Sequence, residues 1–261
     1  VKKCLIFMFS MILGCPCMIP AVTLDELIDD ILAVRRIQFE TVTDMVCISE
    51  QYEKSTDKNG NIKETKKLIK DLYIKKINQK WVVKEDFREY YLNGVKQDDR
   101  KLADEVKEYH KNKKRRGNRD LTYDLLAPLL AENRSMYRLE LRPDIADVEA
   151  FDCYEIRATA TADIDTLLNY TYYIDTVSTH LVRADFVPAK LTDNFFFKLK
   201  EFDMTMTFEP FNDSVWVPYR FRIAGQGKAI LFIGVNFEAE EIFLYPRINV
   251  GLPDSLFSDV K

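Results

Sequence analysis

From residue 137 onward the chain repeats one pattern: short runs in which apolar and polar residues alternate, with no long helical period between them. Tyr137, Leu139 and Leu141 alternate with Arg138, Glu140 and Arg142, and Tyr154, Ile156 and Ala158 with Glu155, Arg157 and Thr159. Leu168, Tyr170, Tyr172 and Ile174 follow, then Val182, Ala184 and Phe186. Phe202, Met204, Met206 and Phe208 form a further set, and Val217, Tyr219, Phe221 and Ile223 another. A period of two puts each set on one face of a strand. Strands joined without crossover helices must pair antiparallel, and clean alternation means that one face is buried. Ile230 to Val235 is apolar throughout and is expected to be a strand buried on both faces.

The mature chain opens on a helix. Thr23-Leu24-Asp25-Glu26 is a capping box, and Leu24, Leu27, Ile28, Ile31 and Leu32 recur at helical spacing over residues 24–36. A sheet of this many strands twists and curls, and one amphipathic helix can plug its hollow side. The expected fold is therefore α+β, mostly β. It is a curved antiparallel sheet, an open half-barrel, with the N-terminal amphipathic helix packed on its concave side. Residues 37–53 and 65–77 read as strands split by a turn at Asn59-Gly60. A third strand near Trp81-Val82-Val83 leads to Phe87–Leu92 and a turn at Asn93-Gly94.

Residues 96 to 120 differ in kind. Asp98 or Asp99 can cap a helix carrying Leu102, Val106 and Tyr109 on one narrow stripe, ending in a basic run through Lys113, Lys114, Arg115 and Arg116. The run reads first as a solvated insertion helix. Its functional reading is membrane-surface contact through those four cations. The net charge of −4, from 38 basic and 42 acidic residues, gives the whole chain no attraction to nucleic acid, and none is expected as a partner.

Residues 1–21 read as an export signal: Lys2 and Lys3, an apolar run from Leu5 to Leu13, then Pro16 and Pro20. Two processing sites compete. Leu13-Gly14-Cys15 fits a bacterial lipobox, with Cys15 the lipidated residue, and Ala21 fits an ordinary signal peptidase. Residues 22–261 are then a single half-barrel domain with the charged helical insertion at about 96–120. Its expected location is the bacterial periplasm, or the outer membrane by a lipid anchor. Cys47 and Cys153 remain in that domain and are expected to be two buried thiols.

Catalytic patterns are thin. The two histidines, His110 and His180, form no H-E-x-x-H, and no Cys/His ligand set accompanies them, so no metal is expected. No G-x-S-x-G elbow precedes a helix. Gly225-Gln226-Gly227 lacks the third glycine of a phosphate loop and reads as a strand turn. His180 beside Asp175 or Asp185 reads as a solvated histidine at a strand start. No cofactor and no enzymatic activity are expected.

The order of elements resembles the outer-membrane lipoprotein-sorting (LolA/LolB-like) superfamily, exported half-barrels. The marks are the capped helix at 24–36 and Tyr172-Tyr173-Ile174-Asp175-Thr176, which is similar to that family's strand-end W-I-D-x-x-T. Val215-Trp216-Val217-Pro218-Tyr219-Arg220-Phe221 is similar to its x-W-x-P strand, and Asn249–Phe257 to its closing segment. The resemblance implies a non-enzymatic extracytoplasmic carrier for a hydrophobic ligand, lipid or the acyl chains of an acylated protein. The same fold serves as an extracytoplasmic sensor or protein-interaction module, which is the alternative. Strand alternation with the helix supplies the candidate lining: Ile28, Ile31, Phe202, Met204, Met206, Phe208, Tyr219 and Phe221. The protein is expected to be a monomer.

Overall fold

The computed structural model describes residues 22–57, 59–116, 125–162, 164, 167–191, 197–229 and 233–258. The signal-like segment, with Cys15, lies outside the described residues, as do Ile230 to Phe232 and the side chains of Ile233 to Val235. So do the side chains of Lys113, Lys114, Arg115 and Arg116.

Helix α1 spans Leu24–Thr41. Its capping box is closed: Thr23 Oγ1 accepts the Glu26 N–H at 3.3 Å, and Glu26 accepts the Thr23 N–H at 3.0 Å. The helix outruns its expected end at Arg36, so residues 37–41 are helical and not the start of a strand. Tertiary partners explain the extension. The Gln38 amide brackets the Trp216 backbone, accepting from its N–H at 3.1 Å and donating to its carbonyl at 2.8 Å. Phe39 meets Trp81 edge-on at 5.7 Å, and Lys76 bonds the Phe39 carbonyl, a cation at the negative end of the helix.

The strands are β1 (Asp44–Thr56), β2 (Ile62–Ile77), β3 (Lys80–Leu92), β4 (Val95–Lys96), β5 (Tyr137–Leu141) and β6 (Ala146–Val148). Then come β7 (Phe151–Ala160), β8 (Leu168–Asp175), β9 (Leu181–Pro188), β10 (Phe197–Asn212), β11 (Val215–Ala229) and β12 (Ile233–Ile248). All belong to one antiparallel sheet in the order β4-β3-β2-β1-β12-β11-β10-β9-β8-β7-β5, with β6 also on β7. The first long strand pairs with the last, Met45 opposite Ile248, yet the sheet stays open, an unclosed half-barrel with α1 on its concave face. The closing segment is tied to that seam. The Asp44 carboxylate accepts the N–H groups of Val250 (2.7 Å) and Gly251 (3.1 Å), and Asn249 Oδ1 accepts that of Thr43 (2.8 Å).

Two hairpins form where the sequence points to them. Asp57 accepts the N–H groups of Asn59 and Asn61, with Gly60 at φ +84°, and Asn93-Gly94 turns with φ of 50° and 78°. The β2–β3 hairpin turns instead on Asn78 and Gln79, both left-handed and neither glycine. Helix α2 (Asp99–Arg116) starts as expected, with Asp98 accepting the Lys101 N–H at 2.9 Å. It packs on β3 through Tyr109, which meets Phe87 edge-on at 5.2 Å, so α2 is docked on the sheet rather than freely solvated.

Gly225 does not turn the chain, contrary to the sequence reading. It sits in mid-strand in β11, opposite Phe202 on β10 and Phe237 on β12. A Cβ there would meet Phe237 Cζ at 2.5 Å, so glycine is what lets the two rings meet, 6.2 Å apart, across the strand. Gly225→Ala is expected to cost about 1–3 kcal/mol by overpacking, read from the midpoint of urea unfolding. An unchanged midpoint would mean that the ring has room to swing aside.

Candidate ligand-binding site

The concave face can be followed by register. One row of directly opposed residues runs Ala184, Met206, Phe221, Glu241, Gln51, Leu68 and Tyr90 from β9 to β3. The next runs Phe186, Met204, Ile223, Ala239, Glu53 and Lys66. Residues opposed in this way share a face. The apolar run from β9 ends at Phe221 in the first row, where Glu241 follows, and at Ala239 in the second, where Glu53 follows.

The apolar half is plugged. Ile28 and Ile31 of α1 pack with Met204, Met206, Tyr172 and Phe186 in one buried cluster, so four of the sequence-derived lining residues lie within the hydrophobic core. Phe202, Phe208 and Phe221 pack against that cluster and are half-buried. Tyr219 stands apart. Register is interrupted between Thr207 and Phe208, leaving Tyr219 without a partner on β10, and its ring lies 5.4 Å from the Arg220 guanidinium. The sequence reading did not foresee a second plug: Leu125, Leu126 and Leu129 join the same cluster, and the buried Tyr172 hydroxyl donates to the Leu125 carbonyl at 2.7 Å. Its signal in the sequence is the apolar run Leu125-Leu126-Ala127-Pro128-Leu129-Leu130.

The polar half was missed altogether. Lys70 is 1% exposed on β2, directly opposite Ser49 and Phe87. Its ammonium reaches Glu85 at 2.8 Å, Glu241 at 3.1 Å and the Tyr109 hydroxyl at 3.0 Å. Tyr109 in turn donates to Glu85 at 2.7 Å, and Ser49 donates to Glu241 at 2.5 Å. Burial works against the Lys70 charge, but Glu241, Tyr109 and Glu85 outweigh it and hold the ammonium above its ordinary range. Burial likewise pushes the Tyr109 hydroxyl up. Beside this knot, Lys66 holds Glu105 of α2 at 3.1 Å. A cleft of about 20 Å³, room for a single water, lies between Gln51, Glu53, Lys66, Leu68, Tyr90, Glu105 and Tyr109.

His180 is not solvated as the sequence suggests. It is buried, stacked on Trp216 at 5.4 Å, with its ring nitrogens 3.1 Å from the Ser178 carbonyl and 3.4 Å from that of Ser214. Asp175 spends its carboxylate on the Ser178 N–H and hydroxyl instead. Burial lowers the imidazole below its usual value. Cys47 and Cys153 are free, buried in separate clusters, and burial pushes each thiol up to about 12. Among the described residues no group of three or more His, Cys, Asp or Glu side chains could hold a metal ion, and no helix is long and apolar enough to cross a membrane.

No protein-family model matches the chain, and no curated protein matches it in sequence. Solved structures to which it is similar include a domain from Vibrio parahaemolyticus assigned to outer membrane lipoprotein sorting. It shows 10% identity over 88% of this chain and 95% of that one, with a TM-score of 0.38. A LolA superfamily protein from Nitrosomonas europaea shows 11% identity over 92% and 99%, with a TM-score of 0.33. MucB in the MucA/MucB complex of Pseudomonas aeruginosa shows 8% over 87% and 100%, with a TM-score of 0.25. The first two carry the names of the superfamily that the sequence resembles, and at these identities the function of this chain has to be argued from its own residues.

Proposed function

We propose that this protein is a non-enzymatic, extracytoplasmic binder of a hydrophobic ligand, held on the concave face of the half-barrel between the α1 plug and α2. The observation that carries the reading is a strip of half-buried apolar side chains, Phe202, Phe221, Ile223 and Phe237, on neighbouring strands of that face. Apolar lining with few polar groups is what an acyl chain requires. The cleft beside α2 is far smaller than an acyl chain, so binding requires α2 or the 125–130 plug to move aside. No bond is made or broken. The signal-like pattern of residues 1–21 supports an extracytoplasmic role.

Ala239 is half-buried in the middle of the strip, between Ile223 and Glu53. Ala239→Trp is expected to fill the strip and abolish uptake of a fluorescent fatty-acid probe, with the circular dichroism spectrum unchanged. A wild-type protein that binds no probe and carries no co-purified lipid would replace this reading with that of a protein-interaction module.

A further inference from the structure

The sheet ends at β5, and its outer side is an edge. The Arg142 N–H donates to the Glu155 carbonyl at 2.9 Å, and the Thr161 N–H to the Met136 carbonyl at 2.8 Å, one at each end of the β5–β7 pairing. Even-numbered residues of β5 therefore turn their backbone groups to β7, and Tyr137, Leu139 and Leu141 turn theirs away. Among the described residues no strand pairs on that side. The same three side chains are half-buried, whereas Ile156 and Ala158, opposite Leu141 and Leu139 on β7, are fully buried. Outward N–H and C=O groups beside a half-covered apolar face are a template for one more strand.

Edge strands commonly carry charge that repels a pairing strand. The charges of β5 fit one partner instead. Arg138 and Glu140 are exposed, opposite in sign, and placed on either side of Leu139. Among the described residues Arg138 makes no ion pair, since its neighbour on β7 is Thr159, and Glu140 bonds only Arg142, at 3.1 Å. An antiparallel copy of β5 centred on Leu139 sets Arg138 opposite Glu140 of the second copy, and Glu140 opposite its Arg138. Leu139 then faces its own copy and Tyr137 faces Leu141, so each outward N–H meets an outward carbonyl. A shift of two residues either way opposes like charges, Arg138 to Arg138 or Glu140 to Glu140, and a shift of one mismatches the backbone groups. We propose that β5 forms a twofold-symmetric dimer of this chain by edge-to-edge pairing about Leu139. A strand of 5 residues gives a weak, transient contact, of the class below about 1,200 Å². The monomer expected from the sequence is then one side of an equilibrium.

Sedimentation velocity of the protein from residue 22 onward, over about 1 to 500 μM, tests the pairing. The wild-type protein is expected to pass from monomer to dimer within that range. Arg138→Glu opposes two glutamates and Glu140→Arg two arginines, so each variant alone is expected to dimerise at least about tenfold more weakly. Both side chains are exposed, and circular dichroism should be unchanged. An equal mixture of the two variants restores opposite charges across the twofold axis, and is expected to recover dimer at the wild-type concentration. Recovery on mixing also shows that both variants are folded at the edge. A wild-type protein that stays monomeric throughout, a dimer untouched by either variant, or a mixture that recovers nothing overturns the proposal.

Discussion

Replacing Lys70 with methionine is expected to destabilise the fold by about 3–5 kcal/mol, the cost of breaking a buried ion pair from one side. The ammonium is 1% exposed and the Glu85 side chain 7%, so neither charge has water to fall back on once the other is gone. The substitution removes the ammonium that Glu85 holds at 2.8 Å and the ion pair that Lys70 makes with Glu241 at 3.1 Å. It also loosens α2, because Tyr109 shares its hydroxyl between Lys70 and Glu85. Urea unfolding gives the magnitude. The companion variant Lys70→Met/Glu85→Gln is expected to recover part of the loss, since it neutralises Glu85 while Glu241 still lacks its ammonium. A loss below about 0.5 kcal/mol in the single variant, the range of surface substitutions, would contradict the burial of this knot.

Ile31→Ala is expected to cost about 2–5 kcal/mol, the range for emptying a fully buried aliphatic site. Ile31 is buried between α1 and the sheet, in the cluster that holds Met204, Met206 and the Leu125–Leu129 segment. The neighbouring surface serves as control, since Ile37 on the same helix is 55% exposed and its alanine variant should fall within about 0.5 kcal/mol of wild type. Equal effects at the two positions would show that α1 is not docked.

Alternation made the strands of the β5–β11 half legible, because a solvated convex face and a buried concave face impose a period of two on every strand. The helix was legible from its cap and its Leu24-Leu27-Ile28-Ile31 stripe, but not its end. Residues 37–41 stay helical through Gln38, Phe39 and Lys76 contacts with residues distant in sequence, which local pattern does not carry. The Asn78-Gln79 turn lacked glycine, and the parity break at Tyr219 was hidden because a bulge adds one residue without changing composition. The polar knot had a signal of its own. Lys70 stands between Leu68 and Leu72, and Glu241 between Ala239 and Phe243, each a charge at an inward position of its strand. Charges at inward positions are costly unless paired, so each marks a partner across the sheet. Which carboxylate meets which ammonium depended on pairing β1 with β12, some 200 residues apart, and no local pattern encodes that.

The central claim is that ligand lies on the concave face between α1 and α2. Photo-crosslinking with a diazirine-bearing fatty-acid analogue, followed by peptide mass spectrometry, tests it most directly. Adducts are expected on the inward residues of β10, β11 and β12, at Phe202, Ile223, Ala239 and their neighbours, and should vanish in Ala239→Trp. Adducts on outward residues such as Arg222 and Glu240, or none at all, would contradict it.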